Sequence, residues 1–292
     1  MKAFADYNPI SVFFCIMGVA SVGMFCMDPI LLCLSLIGAG ALFFARNGRA
    51  GVRECLWYPL LFLIMAIGNP LFNHKGVTVL FVLNDNPVTL EAVYYGLAMG
   101  AMVVGTLWWF RSFSQIMTSD KLLYLFGAAS PKLALILSMT MRYIPLFRAQ
   151  AEKTNRSQKA LGLYKEDNIP DKLRGGLRVF SVLVTWALEN GVITADSMTA
   201  RGYGIGKRSQ FAIFRFRRSD AILLIASLSL TTLTFVGMGM GKIGFAFYPA
   251  LTPVKATPFG VLVYIAYGVL SLLPAILEVS EAIRWKSLQS AI

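Results

Sequence analysis

Six apolar runs constrain this chain more than any other feature. They cover Pro9 to Met27, Pro29 to Ala45, Leu56 to Phe72, Leu90 to Phe110, Ala221 to Met240 and Phe259 to Leu277. About 20 helical residues cross the roughly 30 Å of bilayer hydrocarbon. Within lipid every backbone polar group has to be paired internally, which helices and closed barrels alone achieve. Composition agrees, with 57% hydrophobic and 14% charged residues, against about 25% charged in soluble domains. The expected fold class is an all-α polytopic membrane protein with about six transmembrane helices.

The charge is concentrated in one place. Residues 111 to 218 hold 18 Lys and Arg against 7 Asp and Glu, so +11 of the net +12 lies between the fourth and fifth runs. Loops rich in Lys and Arg stay on the cytoplasmic side. Arg46, Arg49 and Arg53, opposed by Glu54, place the loop after the second run inside. The loop 73 to 89, with Lys75 against Asp85, falls outside. Alternation then puts 111 to 218 inside, 241 to 258 outside, and both termini inside. The expected organisation is four spans in 1–110, a cytoplasmic domain of amphipathic helices in 111–218, and two spans in 219–292.

Two further apolar stretches, Pro131 to Phe147 and Val179 to Ala195, are not counted as spans. If both crossed, eight basic residues from Arg148 to Arg178 would lie outside, inverting the charge rule. Lys132, Arg142 and Glu189 within them also argue for helices packed under the membrane, because a mid-bilayer charge costs about 2.5 to 3.5 kcal/mol. Lys2 precedes the first run, no small-residue cleavage site closes it, and Asp28-Pro29 turns into the second. This reads as a retained helical hairpin.

The usual chemical motifs carry little. Cys15, Cys26, Cys33 and Cys55 form no C-x-x-C pair and read as small apolar residues. His74, the only histidine, has no ligand cluster beside it, so neither a metal site nor a catalytic residue is expected. Gly239-Met240-Gly241-Lys242-Ile243-Gly244 satisfies G-x-G-x-x-G but ends an apolar run, whereas a dinucleotide loop follows a strand and opens a helix. No P-loop occurs, since Arg201 stands where Gly206-Lys207 would need a glycine. Gly96 and Gly100 suit close helix packing, internal rather than to a partner. Asn155-Arg156-Ser157 fits the glycosylation sequon but lies in the basic block. Polar residues such as Asp196, Glu189 and His74 could serve an intramembrane enzyme, yet the spans hold almost no ionisable groups. A secondary transporter would need inverted repeats, which are not found.

The basic block reads as a short amphipathic piece, Ser112 to Gly127, then a helix from about Lys132 to Gly162. A turn at Pro170, Gly175 and Gly176 leads to a second helix from about Leu177 to Ala200. Arg148, Glu152 and Arg156 are spaced i, i+4, i+8 for pairing along a wet helix tip. The two helices end alike, at Lys159-Ala160-Leu161-Gly162 and Thr199-Ala200-Arg201-Gly202, with glycine as C-cap signal. Two readings of Arg201 stand level: a residue complementing the helix dipole or anionic lipid, and a guanidinium left unobstructed by Ala200 and Gly202 for a bidentate grip on a carboxylate.

The string Ala195-Asp196-Ser197-Met198-Thr199-Ala200-Arg201-Gly202-Tyr203-Gly204 resembles the second Ala-Arg-Gly signature of the transmembrane T component of energy-coupling factor (ECF) transporters. Ser138 to Phe147 with Ser157 to Gly162 is similar to the first signature region. Met117 to Lys121, Leu123 to Gly127 and Asn69 to His74 resemble the vitamin-transporter branch. The resemblance spans roughly residues 69 to 204. It implies a non-catalytic membrane scaffold joining two ABC-type ATPases to a substrate-binding S component that takes up vitamins or other micronutrients. A dedicated cobalt/nickel-type permease subunit is the alternative within the superfamily. Localisation in the bacterial cell membrane follows, with no cofactor and no nucleic-acid partner. Carried over by residue, ATPase coupling falls to Ala200, Arg201 and Gly202 at one helix end. At the other it falls to Arg156, Lys159, Ala160 and Gly162, where Leu161 stands in the arginine position. The surface for the S component falls on Leu133, Ile136, Met139, Val182 and Trp186.

Overall fold

A computed structural model describes residues 4–48, 51, 57–73, 75–83, 86–163, 168–206, 214–252 and 257–289. His74, Cys55 and the charges at 49, 53, 54, 85 and 165 lie outside the described residues. Nine α-helices are seen among those described. They are α1 (Pro9–Phe25), α2 (Pro29–Asn47), α3 (Trp57–Phe72), α4 (Leu90–Ile116), α5 (Ser119–Ala129), α6 (Pro131–Ala160), α7 (Ile169–Ala200), α8 (Arg218–Gly239) and α9 (Pro258–Gln289). The chain is an all-α polytopic membrane protein, and α1–α4, α8 and α9 coincide with the six apolar runs. Four of these are long and apolar enough to cross a membrane, while α1 and α3 are shorter apolar helices. By length and hydropathy alone α7 also qualifies.

Local sequence explains the helix starts. Asn8-Pro9 and Asp28-Pro29 each supply a side-chain oxygen that accepts from the N–H two residues on, at 3.1 and 3.0 Å, and a proline pre-set for the first turn. Three boundaries differ from the sequence reading. First, α4 continues to Ile116, past the expected domain edge at 110/111, and its last turns bury Trp109, Ser112 and Ile116 on one face. The piece Ser112 to Gly127 is therefore divided by Met117-Thr118. There the Lys121 ammonium donates to the carbonyls of Ile116 (3.0 Å) and Ala5 (2.6 Å), satisfying an open helix end. Second, α7 starts at Ile169, not near Leu177: Pro170 sits in its first turn, where its missing N–H is harmless. Gly175 and Gly176 lie inside the helix at a cost of about 1 kcal/mol each relative to alanine. Third, the loop 73–89 contains an antiparallel hairpin, β1 (Val79–Leu83) with β2 (Asn86–Thr89), feeding directly into α4.

The chain divides into two compact units, residues 1–122 with 214–292, and residues 123–213. The first packs α1, α2, α4, α8 and α9 around Trp109, Phe43, Tyr267 and Leu270, all essentially without exposure. Two of its buried polar side chains pair inside it: Trp109 Nε1 donates to Ser35 Oγ at 3.1 Å and Tyr267 Oη to the Val19 carbonyl at 3.2 Å. Helices approach closely at glycines. A Cβ at Gly38 would lie 2.6 Å from the Ser271 carbonyl oxygen of α9, and one at Gly96 2.8 Å from the Ala66 carbonyl of α3. Gly96 and Gly100 thus serve packing inside the unit. Fully buried Asp220 ties the start of α8 to the chain ahead of α1, accepting from the N–H groups of Arg217 (2.8 Å) and Asn8 (3.2 Å).

Candidate functional site

Unit two is built on α6 and α7. The Tyr143 and Thr194 hydroxyls are 2.9 Å apart, and the rings of Phe147 and Trp186 meet edge to face at 5.5 Å. Advancing along α6 from 143 to 147 means retreating along α7 from 194 to 186, so the helices run antiparallel. At about 1.5 Å per residue their C-terminal ends lie roughly 40 Å apart on antiparallel axes, and less where the axes cross.

The two ends have the same backbone. At α6, Gly162 N–H donates to the Lys159 carbonyl (3.1 Å) and Leu163 N–H to the Gln158 carbonyl (3.2 Å), with Gly162 at φ +63°. At α7, Gly202 N–H donates to Thr199 (3.0 Å) and Tyr203 N–H to Met198 (3.0 Å), with Gly202 at φ +79°. Both are Schellman caps, which need a left-handed residue after the helix and so take glycine. The residue before each glycine has nearly the same dihedrals, φ −80°, ψ 3° at Leu161 and φ −83°, ψ 9° at Arg201. Leu161 and Arg201 are therefore presented equivalently. Among the described residues the Arg201 side chain has no hydrogen bond or ion pair, and Ala200 beside it is exposed.

The same cap explains the G-x-G-x-x-G string. Gly241, at φ +64°, closes α8 with bonds from Gly241 N–H to Met238 and Lys242 N–H to Gly237. The glycines end a helix instead of opening one. A cap alone is thus structural, and what distinguishes a site is the side chain it presents.

Around the α6 end, Arg148, Glu152 and Arg156 form an exposed ladder with N–O distances of 3.7 and 3.9 Å, a pairing that contributes at most about 0.5 kcal/mol per contact. Lys159, Ala160 and Gly162 are exposed. The residues expected to meet the S component divide. Leu133, Ile136 and Val182 are exposed, whereas Met139 is half-buried and Trp186 is partly covered by Phe147. The broader apolar face of α7 is one that the sequence reading passed over: Ile169, Leu173, Leu177, Phe180, Val184 and Leu188, all exposed and spaced by four or three residues. That spacing is the signal for one helix face, and Val182 and Trp186 fall on the opposite side of it.

One charged cluster lies at the start of α5. Burial and then the neighbouring Arg46 guanidinium push the Lys121 ammonium below the usual lysine range, with Asp6 and Glu278 pulling the other way. Glu278 also pairs with Arg46 at 3.6 Å and accepts from the Phe4 N–H at 3.0 Å. Among the described residues no three His, Cys, Asp or Glu side chains converge on a metal-sized site.

The fold and the paired helix ends define a class, polytopic helical membrane proteins that carry a basic two-helix module. No family model matches the sequence. The chain is 30% identical over 218 residues to the energy-coupling factor transporter transmembrane protein EcfT of Listeria innocua, covering 66% of this chain and 75% of that protein. It is 25% identical over 201 residues to EcfT of Streptococcus thermophilus, covering 63% and 73%. To EcfT 1 of Listeria monocytogenes it is 29% identical over 101 residues, covering 34% and 38%. The chain belongs to the EcfT family of energy-coupling factor transporter transmembrane proteins.

Proposed function

We propose that this chain is the coupling scaffold of an ECF-type importer, linking two ABC-type ATPases to a membrane S component that captures a vitamin or other micronutrient. The observation that carries the reading is the pair of matched caps at the ends of α6 and α7, with an exposed guanidinium at one of them that has no partner among the described residues. ATP binding and hydrolysis belong to the ATPases, and this subunit transmits their motion as a rigid-body displacement of α6 and α7. Arg201, flanked by Ala200 and Gly202, seats on one ATPase, and the α6 end with Arg156, Lys159, Ala160 and Gly162 on the other. The S component rests on the exposed apolar faces, Leu133 and Ile136 on α6 and the Leu177 to Leu188 face of α7. The basic block faces the cytoplasm, as do both termini, in a bacterial cell membrane.

Arg201→Glu tests the reading. A carboxylate placed against a carboxylate releases an ATPase from the purified complex, or leaves hydrolysis running without uptake, while the chain remains in the membrane. Normal ATPase retention together with normal uptake in that variant would sink the proposal.

A further inference from the structure

The two docking ends share a backbone but not a chemistry. Leu161 is 74% exposed, and Leu163, just past the glycine, adds a second exposed apolar side chain. Arg178 Nη2 donates to the Leu163 carbonyl at 3.0 Å and holds this apolar tip in place. Cations flank the tip: Arg156 and Lys159 lie within two turns of it along α6 and Arg178 reaches it from α7, while Arg148 stands about 20 Å back along the helix. At the other end Arg201 carries the charge at the tip itself, with Glu189 and Asp196 on the helix before it and Lys207 and Arg208 behind it in the sequence.

We infer that Leu161 is itself a docking side chain, and that its partner surface on one ATPase is an apolar socket with an acidic rim, distinct from the acidic point that receives Arg201. This rests on the coupling reading above and names the partner chemistry of its second end. Charge complementarity commits the rim: a surface meeting a tip flanked by Arg156, Lys159 and Arg178 is acidic. The cap geometry commits the floor, because whatever lies opposite the position matching Arg201 meets a leucine there. The two sockets then exclude each other's tips. A guanidinium in an apolar floor loses its water without a partner, and a leucine over a buried carboxylate leaves that carboxylate unpaired. Each end selects its own ATPase surface by what it rejects as well as by what it fits.

The inference runs against the simple view that Leu161 is a lost arginine. On that view Leu161→Arg restores a grip and tightens the complex; on this one it weakens it. The experiment purifies the intact complex carrying Leu161→Arg, Leu161→Asp, Leu161→Met or Arg201→Glu. It measures retention of each ATPase subunit separately by quantitative mass spectrometry, with Leu161→Met reporting that the exposed tip still folds. Leu161→Arg and Leu161→Asp are expected to reduce retention of one ATPase by about tenfold or more, the size of a lost 1.4 kcal/mol. Leu161→Met stays within about twofold. Retention of both ATPases by Leu161→Arg and Leu161→Asp, while Arg201→Glu releases one, overturns this inference alone and assigns the tip to lipid or solvent. Retention of both by Arg201→Glu overturns the coupling reading and this inference with it.

Discussion

Gly202 is the position where cap geometry and docking can be separated. At φ +79° an L-residue suffers the left-handed penalty of about 1 to 2 kcal/mol. Among the described residues space is not the issue, since a Cβ would meet Ile205 Cδ1 at an ordinary 3.6 Å. The cap is held by two exposed hydrogen bonds, from Gly202 to Thr199 and from Tyr203 to Met198, contributing together about 1 to 3 kcal/mol. Ordering the two residues costs about as much, so the unliganded tip sits near balance. Gly202→Ala, at about 1.5 kcal/mol, lowers the capped fraction from about one half to below about one tenth, and apparent ATPase affinity falls about sevenfold in proportion. Gly202→Asn, which tolerates the left-handed region, stays within about twofold. The affinity is measured on the nanodisc-reconstituted chain with its ATPases, beside hydrogen exchange of the 202 and 203 amides. Faster exchange in Gly202→Ala with wild-type affinity would refute the claim that the cap presents Arg201.

Two further outcomes probe the frame that carries this module. Gly38→Ala forces a Cβ to 2.6 Å from the Ser271 carbonyl oxygen; overpacking costs about 1 to 3 kcal/mol and lowers the thermal unfolding midpoint in detergent, whereas Gly268→Ala, whose Cβ would meet Leu34 at 3.6 Å, does not. Asp220→Ala strands the Asn8 and Arg217 N–H groups at a buried site, a loss of about 2 to 4 kcal/mol in the same assay; Asp220→Asn keeps an acceptor and loses less, and equal losses would show that the two bonds contribute nothing.

The six membrane helices were legible because lipid demands long apolar runs, and Asn8-Pro9 and Asp28-Pro29 even marked two of the starts. The matched helix ends were legible too, as Lys-Ala-Leu-Gly and Thr-Ala-Arg-Gly. The misreadings share a cause: residue type was taken for environment. Ser112 looked like the outside of a membrane helix, yet it has no exposure. Pro170 looked like a turn and is a first-turn residue, and Gly175-Gly176 looked like a break although a 32-residue helix absorbs them. On α7 the apolar stretch from Val179 to Ala195 is nearly continuous and hides its periodicity, so Val182 and Trp186 stand out no more than the residues of the other face. The placement of Trp186 against Phe147 and of Thr194 against Tyr143 shows which residues face the partner helix inside the unit.

The two contacts between α6 and α7 also bear on how the module moves. From Phe147–Trp186 to Leu161 is 14 residues along α6 and to Arg201 is 15 along α7, or about 21 and 22 Å, whereas from Tyr143–Thr194 the same paths are 18 and 7 residues, or about 27 and 10 Å. The helices therefore meet along a line of contact and not at one pivot, and the displacement of each tip depends on which contact holds. On the coupling reading proposed above, the two caps hold the same backbone while their central residues differ. Substitutions at 161 or 201 are then expected to change which ATPase is retained, and substitutions at 162 or 202 to change how its motion is passed on.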